Sequence, residues 1–148
     1  LVTAAGHLCL TDFGLAHQWG DQDAEARTSS LCGTTEYMAP EMLRAQPYTE
    51  KVDMWSAGVI IFILLGGYPP FACQDQNDLY EMIKTGNYEF EEDYWGHISA
   101  EAKDLIASLL TVDPNKRLSA TEALQRVKRR KRLYRLLLGP FKKSRPIT

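Results

Sequence analysis

Apolar residues are unevenly spread along this chain, and their spacing predicts its elements. The densest run lies from Ala57 to Leu65 in "AGVIIFILLGG". It is far shorter than the ~20 residues a bilayer span requires, and it reads as a buried core helix. Thr49 offers an N-cap for it, Glu50 and Asp53 fall in the first turns where acids complement the helix dipole, and Gly66-Gly67 ends it. A helix apolar on every side must be enclosed by other elements. Leu79, Met82 and Ile83 mark a second helix stopped by Gly86. Ser99 caps a third, with Ala102, Leu105, Ile106, Leu109 and Leu110 on one face, and Ser119 with Glu122 forms a capping box for a fourth. Near the start, the turn signal at Gly6 is followed by Leu8 and Leu10, a short strand or hairpin arm leading into Asp12. Residues 18–36 lack apolar periodicity and make a long polar loop, of a length that is often functional.

Charge adds a boundary to this picture. Residues 1–125 carry 7 Lys/Arg against 19 Asp/Glu, a net −12, whereas residues 126–148 carry 10 basic residues and no acid. The expectation is a body over 1–125 and a basic tail over 126–148. The acidic body is not expected to bind nucleic acid; the tail can meet anionic partners. Cys9, Cys32 and Cys73 are far apart with no C-x-x-C pair, which suggests neither a disulfide framework nor a zinc knuckle. No signal peptide or transmembrane segment is indicated, and a cytoplasmic or nuclear setting is expected. His7, His17 and His97 have no partner at metal-ligand spacing.

Asp12-Phe13-Gly14 alone is either a turn with an exposed acid or a catalytic triplet. Downstream stand "SSLCGTTEYMAPEML", "YTEKVDMWSAGVIIFILLGGYPPF" and "AKDLIASLLTVDPNKRLSATEAL", in that order. Together these resemble a eukaryotic serine/threonine protein kinase; the second and third are most similar to the calcium/calmodulin-dependent group, while "CGTTEYMAPE" in the first also resembles kinases of the cyclic-nucleotide- and lipid-regulated group. The resemblance covers residues 1 to about 125. It implies an α+β protein-kinase-like fold, of which this chain is the mainly α-helical C-terminal lobe with a short β hairpin at its start.

The resemblance also implies roles. Asp12 would supply a carboxylate to magnesium, which bridges and neutralises the phosphates of ATP; Phe13 would pack inward and set the position of the loop, and Gly14 would give it backbone freedom. Residues 12–41 would form the activation segment, with Ser30, and next to it Ser29 and Thr28, as regulatory phosphorylation candidates. Three solvated hydroxyls are the plain alternative there. Thr34 would steady the catalytic aspartate and favour Ser or Thr acceptors on protein substrates. Leu31, Thr35 and Met38 would line the pocket for the residue after the acceptor, with an apolar preference. Thr35 departs from the proline that many relatives carry. Glu41 and Arg117 would form a buried architectural ion pair. Asp53 would anchor the catalytic-loop backbone or merely complement its helix dipole. Cys32 is a modifiable thiol or, since nothing basic flanks it, a small buried side chain.

A working kinase also needs a Gly-rich loop, a strand lysine and a catalytic loop H-R-D-x-x-x-x-N, and none occurs in these residues. The expectation is a chain that begins just after the catalytic loop, lacks its N-terminal lobe and is inactive alone. The other class of reading is a non-catalytic, kinase-derived interaction module. After "ATEAL" the sequence leaves the family pattern. If the last helix continues, Leu124, Val127, Tyr134, Leu137 and Leu138 gather on one side among basic residues until Gly139-Pro140. Such a segment suits calmodulin, a membrane surface or nuclear import, or is only an appended basic stretch.

Overall fold

The computed structural model describes residues 2–4, 6–16 and 34–129. Among these residues six helices follow one another: α1 (Pro40–Leu43), α2 (Lys51–Gly66), α3 (Gln76–Thr85), α4 (Glu92–Trp95), α5 (Ala100–Leu109) and α6 (Ala120–Arg129). Two 3-10 turns, Phe13–Leu15 and Thr35–Tyr37, precede them. The expected hairpin reduces, among the described residues, to a single antiparallel bridge between Val2 and Leu8, closed by the Gly6 N–H on the Thr3 carbonyl at 2.9 Å.

α2 is the axis of the packing. One side carries Trp55, Val59 and Phe62, all fully buried. Phe62 meets Tyr68, Tyr88, Phe90 and Trp95 with ring centroids 5.3, 5.8, 5.6 and 4.6 Å away. Each such ring withdrawn from water contributes about 1.5–3 kcal/mol. A second side, with Met54, Ile61 and Leu65, packs with Ala102, Leu105 and Leu109 of α5 and with Ala123 and Val127 of α6. The approach of α5 is close because position 58 has no side chain: a Cβ there would stand 2.9 Å from Leu109 Cβ and Leu110 Cδ2.

The third side of α2 is not covered by the described residues. Ile60 and Leu64 are 47% and 62% exposed. The described helices cover two sides of α2 and leave this stripe open.

Local signals explain the helix ends. The N-cap of α2 is Glu50, one residue later than expected, while Thr49 Oγ1 accepts from the Lys51 N–H at 3.4 Å. Gly67 and Gly86 close α2 and α3 in the left-handed conformation that glycine adopts without strain. Asp75 caps α3 by accepting from Asn77 and Asp78 N–H groups at 2.8 and 3.1 Å. Ser99 Oγ accepts from the Ala102 N–H at 3.3 Å. The capping box of α6 forms: the Ser119 N–H and hydroxyl donate to Glu122 Oε2 at 2.7 and 2.6 Å, and the Glu122 N–H donates back at 3.3 Å. α6 runs through the charge break at 125/126 without interruption. Arg126, the first basic residue beyond it, is paired with Asp104 of α5 at 3.0 Å.

Candidate functional site

Two groups of candidate residues emerge, at opposite ends of the segment between Asp12 and Glu41. At the first, Asp12 lies in the left-handed region at φ 62°, and its Oδ1 accepts from the Gly14 N–H at 3.4 Å. A non-glycine residue held there is strained, and such strain gathers at functional sites. The carboxylate is exposed, and so is its neighbourhood: Leu8, Leu10, Phe13 and Leu15 are 69–88% exposed. Phe13 therefore does not pack inward among the described residues. No cluster of three or more His, Cys, Asp or Glu side chains stands among them. The exposed carboxylate of Asp12 is the kind of hard oxygen donor that magnesium takes, and it fits that ion only as one ligand among others.

The second group is buried and fully connected. Arg117, 1% exposed, donates from Nη1 and Nη2 to the two carboxylate oxygens of Glu41 at 2.7 and 2.9 Å. Its remaining donors reach the carbonyls of Thr111, Lys51 and Val112 at 2.9, 2.9 and 3.2 Å. A bidentate pair with every remaining N–H employed is the geometry in which burying two charges is tolerated. The guanidinium lies 5.1 Å from the Trp55 ring centroid, and that ring stacks on Phe71 at 5.6 Å. Among the described residues the buried indole N–H of Trp55 has no hydrogen-bond partner, a cost of about 1–3 kcal/mol set against this stacking.

Between these groups, Thr34 is exposed and precedes the 3-10 turn, its carbonyl accepting from the Tyr37 N–H at 3.1 Å. Thr35 is half-buried and Met38 is buried at 7% exposure. The Tyr37 carbonyl accepts from Ser56 Oγ at 2.8 Å, which ties the turn to α2. Asp53, in the first turn of α2, has its carboxyl pushed up, first by desolvation and then by the charge of Glu50. Thr28, Ser29, Ser30, Leu31 and Cys32 lie outside the described residues, as does the tail from 130 onward.

Ser56 and Lys51 are contributions the pattern of the sequence did not disclose. For Lys51 a signal existed: a lysine in the first turn opposes the helix dipole and needs a local reason. Lys51 Nζ donates to the Arg117 carbonyl at 2.7 Å.

A helical body around one apolar axis, with a strained Asp-Phe-Gly at one end of a segment and a buried Glu–Arg pair at the other, defines a class. The chain belongs to the protein kinase domain family, whose model matches residues 1–127. Over 117 residues it is 50% identical to the calcium/calmodulin-dependent protein kinase type II subunit delta of Oryctolagus cuniculus. That similarity places it with the serine/threonine kinases of the calmodulin-dependent group. The matched part covers 78% of this chain and 21% of that relative, so the chain spans only a small share of the relative's length.

Proposed function

We propose that these residues form the C-terminal lobe of a serine/threonine protein kinase that transfers the γ-phosphate of ATP to Ser or Thr of protein substrates. The observation that carries this reading is Asp12, held in a strained left-handed conformation with its carboxylate exposed. Bound there, magnesium would neutralise phosphate charge; Asp12 would hold it. Thr34 would steady the catalytic base contributed from outside these residues, and Asp53 would accept hydrogen bonds from the loop that carries that base. The raised carboxyl of Asp53 supports this, because a partly desolvated acid with no donor on it among the described residues gains from donors brought by another segment. The open stripe of Ile60 and Leu64, with exposed Leu8, Leu10 and Phe13, gives a missing N-terminal portion a surface to cover.

The test is phosphate transfer by the full-length protein to Ser/Thr peptides with Mg-ATP, compared with Asp12→Asn and with the 148 residues alone. Transfer by the full-length protein only, abolished in Asp12→Asn at an unchanged melting temperature, is the expected result. A full-length protein that folds and transfers nothing would leave the interaction-module reading. Met38 and Thr35, with Leu31, are proposed to line the substrate pocket, and a peptide array with no apolar preference after the acceptor refutes that. Ser30, Ser29 and Thr28 are proposed phosphorylation sites, checked by mass spectrometry of the active protein. The tail is proposed as a calmodulin-binding segment. Since Val127 packs on the body and Arg126 is held by α5, calmodulin would engage from residue 128 onward. A tail peptide that fails to bind calmodulin at micromolar concentration with calcium discards this.

A further inference from the structure

Lys51 and Arg117 are 66 residues apart and both cationic, yet each donates to the other's main chain. Lys51 Nζ donates to the Arg117 carbonyl at 2.7 Å, and Arg117 Nη1 donates to the Lys51 carbonyl at 2.9 Å. This reciprocal clasp sets two positive charges beside the positive end of α2, an arrangement the helix dipole disfavours. Acids compensate from several elements. Glu41 of α1 takes the guanidinium, Glu50 and Asp53 flank Lys51 in sequence, and Glu122 of α6 faces it. The carboxyl of Glu122 is held low chiefly by the Ser119 hydroxyl, with the charge of Lys51 adding to it.

The clasp fixes more than itself. The guanidinium of Arg117 is what grips Glu41, and Glu41 fixes α1 and the chain leading into it. Arg117 is anchored from its own main chain by Lys51 and by its N–H on the Asp113 carbonyl at 3.1 Å. Without the ammonium, Arg117 keeps its side-chain partners but loses one of the two restraints on its backbone.

We infer that Lys51 is a positioning residue: by clasping Arg117 it sets the placement of Glu41 and of the 34–39 stretch against which a substrate peptide would lie. The inference rests on the kinase reading above. It assigns the effect to the peptide side alone, because Asp12, the nucleotide-facing acid, has no link to the clasp among the described residues.

The experiment is steady-state kinetics of the full-length protein, wild type against Lys51→Met and Lys51→Arg, varying peptide and ATP separately. Met keeps the apolar stem and removes the donor, whereas Arg keeps a charged donor. Lys51→Met is expected to raise the peptide KM by about tenfold, equivalent to about 1.4 kcal/mol, with the ATP KM unchanged. Lys51→Arg is expected to restore it to within about twofold of wild type, a difference of about 0.4 kcal/mol. A Lys51→Met protein with an unaltered peptide KM overturns the inference. So does one in which kcat and both KM values shift together with a lowered melting temperature, the mark of a stability effect only. An inactive wild type instead sinks the kinase reading, and the inference with it.

Discussion

Around Glu41 and around Asp12 the same molecule handles acidic residues in opposite ways. Glu41 is 3% exposed, and both its oxygens are taken by one guanidinium whose other donors end on carbonyls of three further residues. Everything that stabilises it comes from α1, α2 and the turn between α5 and α6. Asp12 is exposed, supported by one long hydrogen bond from its own turn and flanked by apolar side chains in water. The anchor of the segment is therefore closed within these residues, while the Asp12 end is left open to solvent. In the function proposed above, stability and chemistry would be divided between the two ends.

The sharpest way to break this contrast is at the anchor. Arg117→Met strands the buried Glu41 carboxylate and should lower unfolding stability by about 3–5 kcal/mol, read by urea denaturation. Next is Gly66→Ala at the far end of α2, where a Cβ would stand 2.7 Å from the Trp95 ring. Overpacking there should cost about 1–3 kcal/mol in the same assay. Removing the α5 cap with Ser99→Ala should cost about 1 kcal/mol, visible as a lower thermal midpoint. A fourth test uses pH. Glu122 is held below its ordinary 4.5 first by the Ser119 hydroxyl, so its folded value is depressed. Its contribution is present above the unfolded value and lost as pH falls through the folded one. In Ser119→Ala its NMR titration should move back up toward 4.5 and that acid-side loss should shrink. The smallest effect belongs to the open end. Phe13→Ser in these 148 residues should change stability by no more than about 0.5 kcal/mol. The same change in the full-length protein should impair phosphate transfer, which would sharpen the comparison.

What could be read from the sequence follows from range. The four longer helices announce themselves by spacing and by caps within four residues of their ends, so Ser99, Ser119 with Glu122, Gly67 and Gly86 act as local signals read. α1 and α4, four residues each, have no periodicity to show. α4 places Trp95 against Gly66 and Phe62, contacts whose partners lie about thirty residues earlier. The same holds for the site. Glu41, Arg117 and Asp12 were legible only through resemblance to a family. The Lys51 clasp and the Ser56 bond to Tyr37 depend on which chains α2 brings together, and no local pattern encodes that. Among the described residues α2 is left open on one side, since a hydrophobic pattern states that a surface wants cover without naming what covers it.

The two buried indoles give this molecule a built-in optical gauge. Trp55 lies near the start of α2, against Phe71 and Arg117, its N–H without a partner among the described residues. Trp95 rests on Gly66 at the other end, its N–H donating to the Tyr68 hydroxyl at 3.0 Å. Positions 55 and 66 are about 16 Å apart along the axis at ~1.5 Å per residue. With Trp19 and Trp95 replaced by Phe, emission isolates the anchor, and with Trp19 and Trp55 replaced it isolates the opposite pole. Loosening that starts at Arg117 would redden one chromophore before the other.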